Sequence, residues 1–201
     1  MNSNMVDIHK ICEGGTCFDD RFINDYKILK ETVSLLKSQG KKIVLTQGVF
    51  DLIHEGHALY LENAKQKGDV LIVGVDSDEL TRSRKGPNRP IVPQDERLKM
   101  LVHLRHVDIV TIREAHHGIG DLIHLVQPDV LVTSHSTTDF TDKMRKEYKS
   151  VCGEIVVMPP QATTSTTARI RTLTIDGVSR LSEEIKNLTD SFLHKIKNGK
   201  Q

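Results

Sequence analysis

Short apolar runs alternate along the chain with segments whose apolar residues recur every three or four positions. Phe22, Ile23, Tyr26, Leu29, Val33 and Leu36 share one helical face, and Gly40 closes that helix. The run Ile43-Val44-Leu45 then reads as a buried strand. The spacing predicts a helix over 57–67 and a strand over 70–75, then a helix over 95–104 and a strand over 107–112. A helix over 119–126, a strand over 130–132, a polar helix over 141–149 and a strand over 155–158 complete the series. Strands of β-branched residues alternating with helices imply βαβ units with helices covering both sheet faces. Right-handed crossovers then favour an α/β fold, a Rossmann-like doubly wound parallel sheet of five strands.

The ends differ from the middle. Residues 1–20 are polar, contain Gly14-Gly15 and read as a variable lead-in. The main domain is expected over 21–175. A helical extension is expected over 176–201, where Leu181, Ile185, Leu188, Phe192 and Ile196 share a face that suits the chain's own core or another subunit.

Composition narrows the classes. The chain has 201 residues, 37% hydrophobic and 27% charged, ordinary values for a globular protein. Its formal net charge of +1 gives no general affinity for polyanions, and an aromatic content of 4% argues against base-stacking platforms, so nucleic acid is not an expected partner. Cys12, Cys17 and Cys152 form no CxxC pair, which argues against a disulfide framework and for a reducing compartment. No apolar run approaches a membrane span and no signal-peptide pattern opens the chain, so a cytoplasmic protein off the membrane is expected.

The chemistry concentrates where the first strand ends: Gln47-Gly48-Val49-Phe50-Asp51-Leu52-Ile53-His54-Glu55-Gly56-His57. Ligands of such sheets bind beyond the carboxyl ends of the strands. Gly48 permits close backbone approach, and the helix starting near His57 offers free amides to a phosphate. Two histidines three residues apart also suit a metal, but no third ligand lies in register, so no protein metal site is expected. Neither GxxxxGK[ST] nor GxGxxG occurs, which removes the Walker loop and the usual dinucleotide reading.

Gly48-Val49-Phe50-Asp51 followed by His54-Glu55-Gly56-His57 resembles the GxFDxxHxGH signature of the cytidylyltransferase-like nucleotidyltransferase superfamily. Further matches follow in order over roughly residues 25–175. Lys85-Gly86-Pro87-Asn88-Arg89-Pro90 and Asp95-Glu96-Arg97 resemble the KGPxRP segment and arginine helix of bacterial heptose-1-phosphate adenylyltransferases. Val107-Asp108 resembles their following strand, and Ser165-Thr166-Thr167 their ISTT motif.

The resemblance implies in-line transfer of a nucleotidyl group to a small phosphorylated sugar or polyol, with release of pyrophosphate. It implies that His54 and His57 act on the triphosphate, that Lys85 and Arg97 neutralise phosphate charge, and that Ser165, Thr166 and Thr167 bind the β and γ phosphates. Gln47, Gly48, Val49, Phe50, Asp51 and Gly56 would line the nucleotide, although Asp51 also suits ordering the loop. Lys85 would sit on a lid spanning 82–87. Mg²⁺ would arrive on the triphosphate, and a homodimer is expected because relatives often are. Taken alone, Ser165-Thr166-Thr167 reads as a helix cap and Arg97 as a solvated helix residue.

The heptose enzymes carry Asn where Gln47 stands. The segments 133–140 and 159–164 match neither their KGGDY-like stretch nor the RTEG of glycerol-3-phosphate cytidylyltransferases. The KGPxRP segment and the missing RTEG favour ATP over CTP. Two expectations compete with the adenylyltransferase: a CTP-dependent enzyme of the glycerol-3-phosphate type, and a non-catalytic nucleotide-binding regulator on the same fold.

Overall fold

The computed structural model describes residues 10–11, 17–135, 141–161 and 166–198. The helices are α1 (Phe18–Arg21), α2 (Tyr26–Ser38), α3 (Glu55–Lys65), α4 (Asp78–Lys85), α5 (Gln94–Val102), α6 (Asp121–Val126), α7 (Asp142–Tyr148) and α8 (Thr166–Asn198). The strands are β1 (Ile43–Gly48), β2 (Val70–Asp76), β3 (Ile109–Arg113), β4 (Val130–Ser134) and β5 (Glu154–Met158). They form one five-stranded sheet in the order β3-β2-β1-β4-β5, and every pairing is parallel. This is the doubly wound arrangement expected from the alternating pattern.

Alternation along each strand sorts the core into two layers. On one face Ile43, Leu45, Ile72, Ile109 and Leu131 pack with Leu29, Val33 and Leu36 of α2 and Leu122, Ile123 and Val126 of α6. On the other, Val44, Leu71, Val73, Val75, Val110 and Val132 pack with Leu61 and Ala64 of α3 and Leu98, Leu101 and Val102 of α5. β2 is buried along its whole length, which is why it reads as an unbroken apolar run.

Several boundaries differ from expectation, each for a local reason. α2 begins after Asp25, whose carboxylate accepts from the N–H of Lys27 and Ile28, while Phe22 bridges to Val110. Asp108 precedes β3 rather than lying in it, because its carboxylate accepts from the Leu71 N–H at 2.6 Å and Lys65 Nζ at 2.5 Å. α4 has no apolar periodicity, since it buries only Leu80 and Thr81. It is built by its ends: Ser77 Oγ accepts from the Leu80 N–H, and Gly86 ends it at φ 95.

Two compact units divide at Thr163/Thr164, earlier than the expected boundary at 175/176. The second contains α8, which begins at Thr166, where the Ser165-Thr166-Thr167 cap reading puts a helix start, and so runs through residues expected in the main domain. Among the described residues no helix is long and apolar enough to cross a membrane.

Candidate active site

The turn leaving β1 is tight and strained. Phe50 and Leu52 adopt left-handed backbone at φ 52 and φ 44, which bulky residues rarely do. A Cβ at Gly48 would press on the Phe50 ring at 3.3 Å, so glycine leaves room for that ring. The turn delivers His54 to the N-cap of α3, where its Nδ1 accepts from the Gly56 N–H at 3.0 Å. That bond puts the ring proton on Nε2 and makes it the donor.

His57 stands one turn into the helix, its ring centroid 4.1 Å from that of His54 and 5.6 Å from that of Phe50. Its Nδ1 is buried without a hydrogen-bond partner among the described residues. Burial pulls its pKa down to about 4, and the charges of His54 and Lys85 push the same way while Asp51 opposes them. His57 is therefore a neutral imidazole at neutral pH. Lys85, the last residue of α4, is exposed and within electrostatic reach of it. Residues 78–85 are helical, so the stretch expected as a lid is in part the last turn of α4.

The remaining expected residues have other partners. Asp51 is buried, and its carboxylate accepts from the N–H of Ile91 at 3.0 Å and of Val92 at 2.9 Å and from Arg89 at 3.0 Å. Burial works against its charge, but these donors outweigh it and hold its pKa below the usual carboxylate value. Asp51 thus pins the 89–92 segment to the β1 turn. Arg97, expected at phosphate, is 1% exposed. Its guanidinium donates to the carbonyls of Val49, Asp76 and Val92 and to the Asp78 carboxylate, joining the exits of β1 and β2 to α4 and to the same segment. The structure makes it a scaffold residue.

Val49 and Phe50 are buried, and the Gly56 N–H is taken by His54. Gln47 shares its face with Ile43 and Leu45, away from α3. Ser165 lies outside the described residues, as do the side chains of Thr166 and Thr167, whose backbone opens α8.

Sequence reasoning passed over one ionic group. Asp76, 1% exposed at the end of β2, takes Arg113 Nη1 at 2.8 Å and Arg84 Nη1 at 2.6 Å. Both Asp76 and Arg113 lie one residue past apolar runs, at the carboxyl ends of neighbouring parallel strands. That position was the available signal.

Residues 45–176 match the family model described as cytidylyltransferase-like. The bifunctional protein HldE of Desulfatibacillum aliphaticivorans is 38% identical over 143 residues, covering 71% of this chain and 29% of that protein. HldE of Nitratiruptor sp. is 45% identical over 113 residues, covering 56% of this chain and 24% of that protein. The chain thus spans under a third of the length of these curated relatives.

A lipopolysaccharide core biosynthesis protein from Thermoplasma volcanium superposes with a TM-score of 0.50 at 27% identity, covering 59% of this chain and 97% of that one. Pantoate-beta-alanine ligase from Francisella tularensis shares the fold with a TM-score of 0.56 at 15% identity, covering 71% of this chain and 68% of that one.

Proposed function

The chain belongs to the cytidylyltransferase-like family of nucleotidyltransferases, and from that premise we propose that it transfers AMP from ATP to the phosphate of a small phosphorylated sugar. The observation that carries the reading is the His54–His57 pair, ring against ring at a tilt at the start of α3, with Lys85 within electrostatic reach. The resemblance to heptose-1-phosphate adenylyltransferases supports ATP and a sugar phosphate over the CTP alternative.

In the reaction an oxygen of the acceptor phosphate attacks the α-phosphorus of ATP. A new P–O bond forms, the bond from the α-phosphorus to the bridging oxygen breaks, and pyrophosphate leaves with that electron pair. Catalysis of this kind rests on positioning and on charge stabilisation. His54 donates through Nε2, held in that tautomer by the Gly56 N–H. His57 offers a neutral imidazole whose buried Nδ1 suits a phosphoryl oxygen, so no buried positive charge has to be maintained before substrate arrives. Lys85 adds an exposed cation for the developing negative charge.

Asp51 and Arg97 are positioning residues, because both hold the 89–92 segment against the β1 turn. Mg²⁺ would neutralise phosphate charge when bound. Asp51 and Asp76 are both engaged by arginines, which fits an ion carried mainly by the triphosphate oxygens.

The test is a pyrophosphate-release screen of ATP and CTP against phosphorylated sugars and alcohols. Release with ATP and a sugar phosphate is expected. Release with CTP alone would replace ATP in this reading. Nucleotide binding without release across the panel would leave a non-catalytic binder.

A further inference from the structure

A second polar centre lies on the opposite face of the sheet from α3. Gln47 of β1 pairs in register with Gly74 of β2, and Gly74 with Thr111 of β3. Thr133 of β4 follows Val132, the partner of Thr46, and so stands beside Gln47. Strand alternation puts these residues on the face of Leu45, Ile72 and Ile109, at its carboxyl end.

Above that row leans Arg113. A Cβ built on Gly74 would lie 3.2 Å from Arg113 Cδ and 3.5 Å from Gln47 Cγ. The absent side chain at Gly74 is what lets the two long side chains converge.

The row is a concentration of unmatched polarity. Gln47 Oε1, Thr111 Oγ1, Thr133 Oγ1 and both Nε and Nη2 of Arg113 are buried with no hydrogen-bond partner among the described residues. A buried polar group left unpaired forfeits its hydration without replacement, so a patch of them on one face of the sheet calls for a ligand. The chemistry of that ligand follows from Arg113. Its Nη1 is spent on Asp76, while Nε and Nη2 form the side-on fork that holds two oxygens of one phosphate or carboxylate. Asp76 is shared with Arg84, so two guanidiniums face one carboxylate. Asp121, within electrostatic reach of Arg113, already accepts from the Gly118 N–H.

The geometry points to Arg113, Gln47, Thr111 and Thr133 as an oxyanion subsite for the acceptor substrate, separate from the histidine pair that serves the nucleotide. The fork holds an acidic group of the acceptor, and Gln47 and the two threonines take oxygens around it. The assignment to the acceptor rests on the nucleotidyltransferase reading; the oxyanion site itself does not.

The experiment titrates the whole chain by calorimetry with inorganic phosphate and with glucose 1-phosphate, each with and without saturating α,β-methylene-ATP and Mg²⁺. Both probes are expected to bind the wild type in the presence of the nucleotide analogue. Arg113→Lys keeps a cation for Asp76 but lacks the fork, and is expected to weaken both by tenfold or more at an unchanged melting temperature. Gln47→Leu, which breaks no ion pair, tests the same site should Arg113→Lys fold poorly, and is expected to weaken glucose 1-phosphate severalfold.

Absence of phosphate binding to the wild type, or equal affinity in the wild type and both subsite variants, overturns the site. Phosphate binding that needs Arg113, in a chain that releases no pyrophosphate with any acceptor, keeps the oxyanion site and removes the acceptor assignment.

Discussion

His54 and His57 differ because of their surroundings. His54 caps a helix with Nδ1, whereas His57 is packed beside Phe50 with its own Nδ1 unpartnered. The pKa of His57 falls from 6.5 to about 4 through burial and the nearby positive groups. The folded chain therefore binds that proton less readily than the unfolded chain. Its contribution to stability is fully present above pH 6.5 and is lost as pH falls from 6.5 to about 4. An NMR titration of the ring protons should show His57 uncharged at pH 6 and titrating near 4. A midpoint near 6.5 would contradict the burial. His57→Ala is expected to lower kcat/KM by ~10²-fold or more, the scale for removing one electrostatic stabiliser of a transition state. Steady-state pyrophosphate release measures it, and an unimpaired rate would remove His57 from the chemistry.

At the scale of elements, what organises the site is the way the 89–92 segment is stitched to the β1 turn. Asp51 reaches forward to Arg89, Ile91 and Val92, and Arg97 reaches back to Val92, Val49 and Asp76. Replacing Arg97 by Leu would strand three carbonyls and the Asp78 carboxylate. We expect a loss of about 3–5 kcal/mol, read by urea unfolding. A change below 1 kcal/mol would mean that the guanidinium is dispensable to the scaffold. Gly74 makes a similar case on the sheet. A Cβ there would lie 2.5 Å from Leu122 Cδ2, so Gly74→Ala forces the end of that side chain to shift, and urea unfolding should read a destabilisation of about 1 kcal/mol.

For the whole molecule, binding of substrate should register as global stability. A ligand that binds only the folded state at a hundredfold excess over its Kd adds about 2.7 kcal/mol. Mg-ATP should therefore raise the melting temperature clearly, and CTP by less; thermal scans at matched concentrations decide between the bases. The sheet order β3-β2-β1-β4-β5 reverses direction at β1, and both the histidine pair and the Arg113 row lie around the carboxyl ends of the strands beside that reversal. The matched stretches make up under a third of the curated relatives, so activities of their other regions carry no implication for this chain.

Much of the fold, and the turn that carries the histidine pair, was legible in the residues themselves. Hydrophobic period distinguishes strands from helices, and the spacing of Gly48, Asp51, His54, Gly56 and His57 marks a turn that feeds a helix. Those signals are local, so they survive without coordinates. α4 was not legible, because capping rather than apolar periodicity builds it. The work of Arg97 was hidden too: on the sequence it is one cation on a polar helix, and only packing removes it from water and aims it at carbonyls from three separate segments. The Gln47–Thr111–Thr133 row under Arg113 depends on residues from three strands meeting in register across Gly74 of β2. Long-range pairing decides that, since a shift of one residue would turn every one of those side chains to the other face.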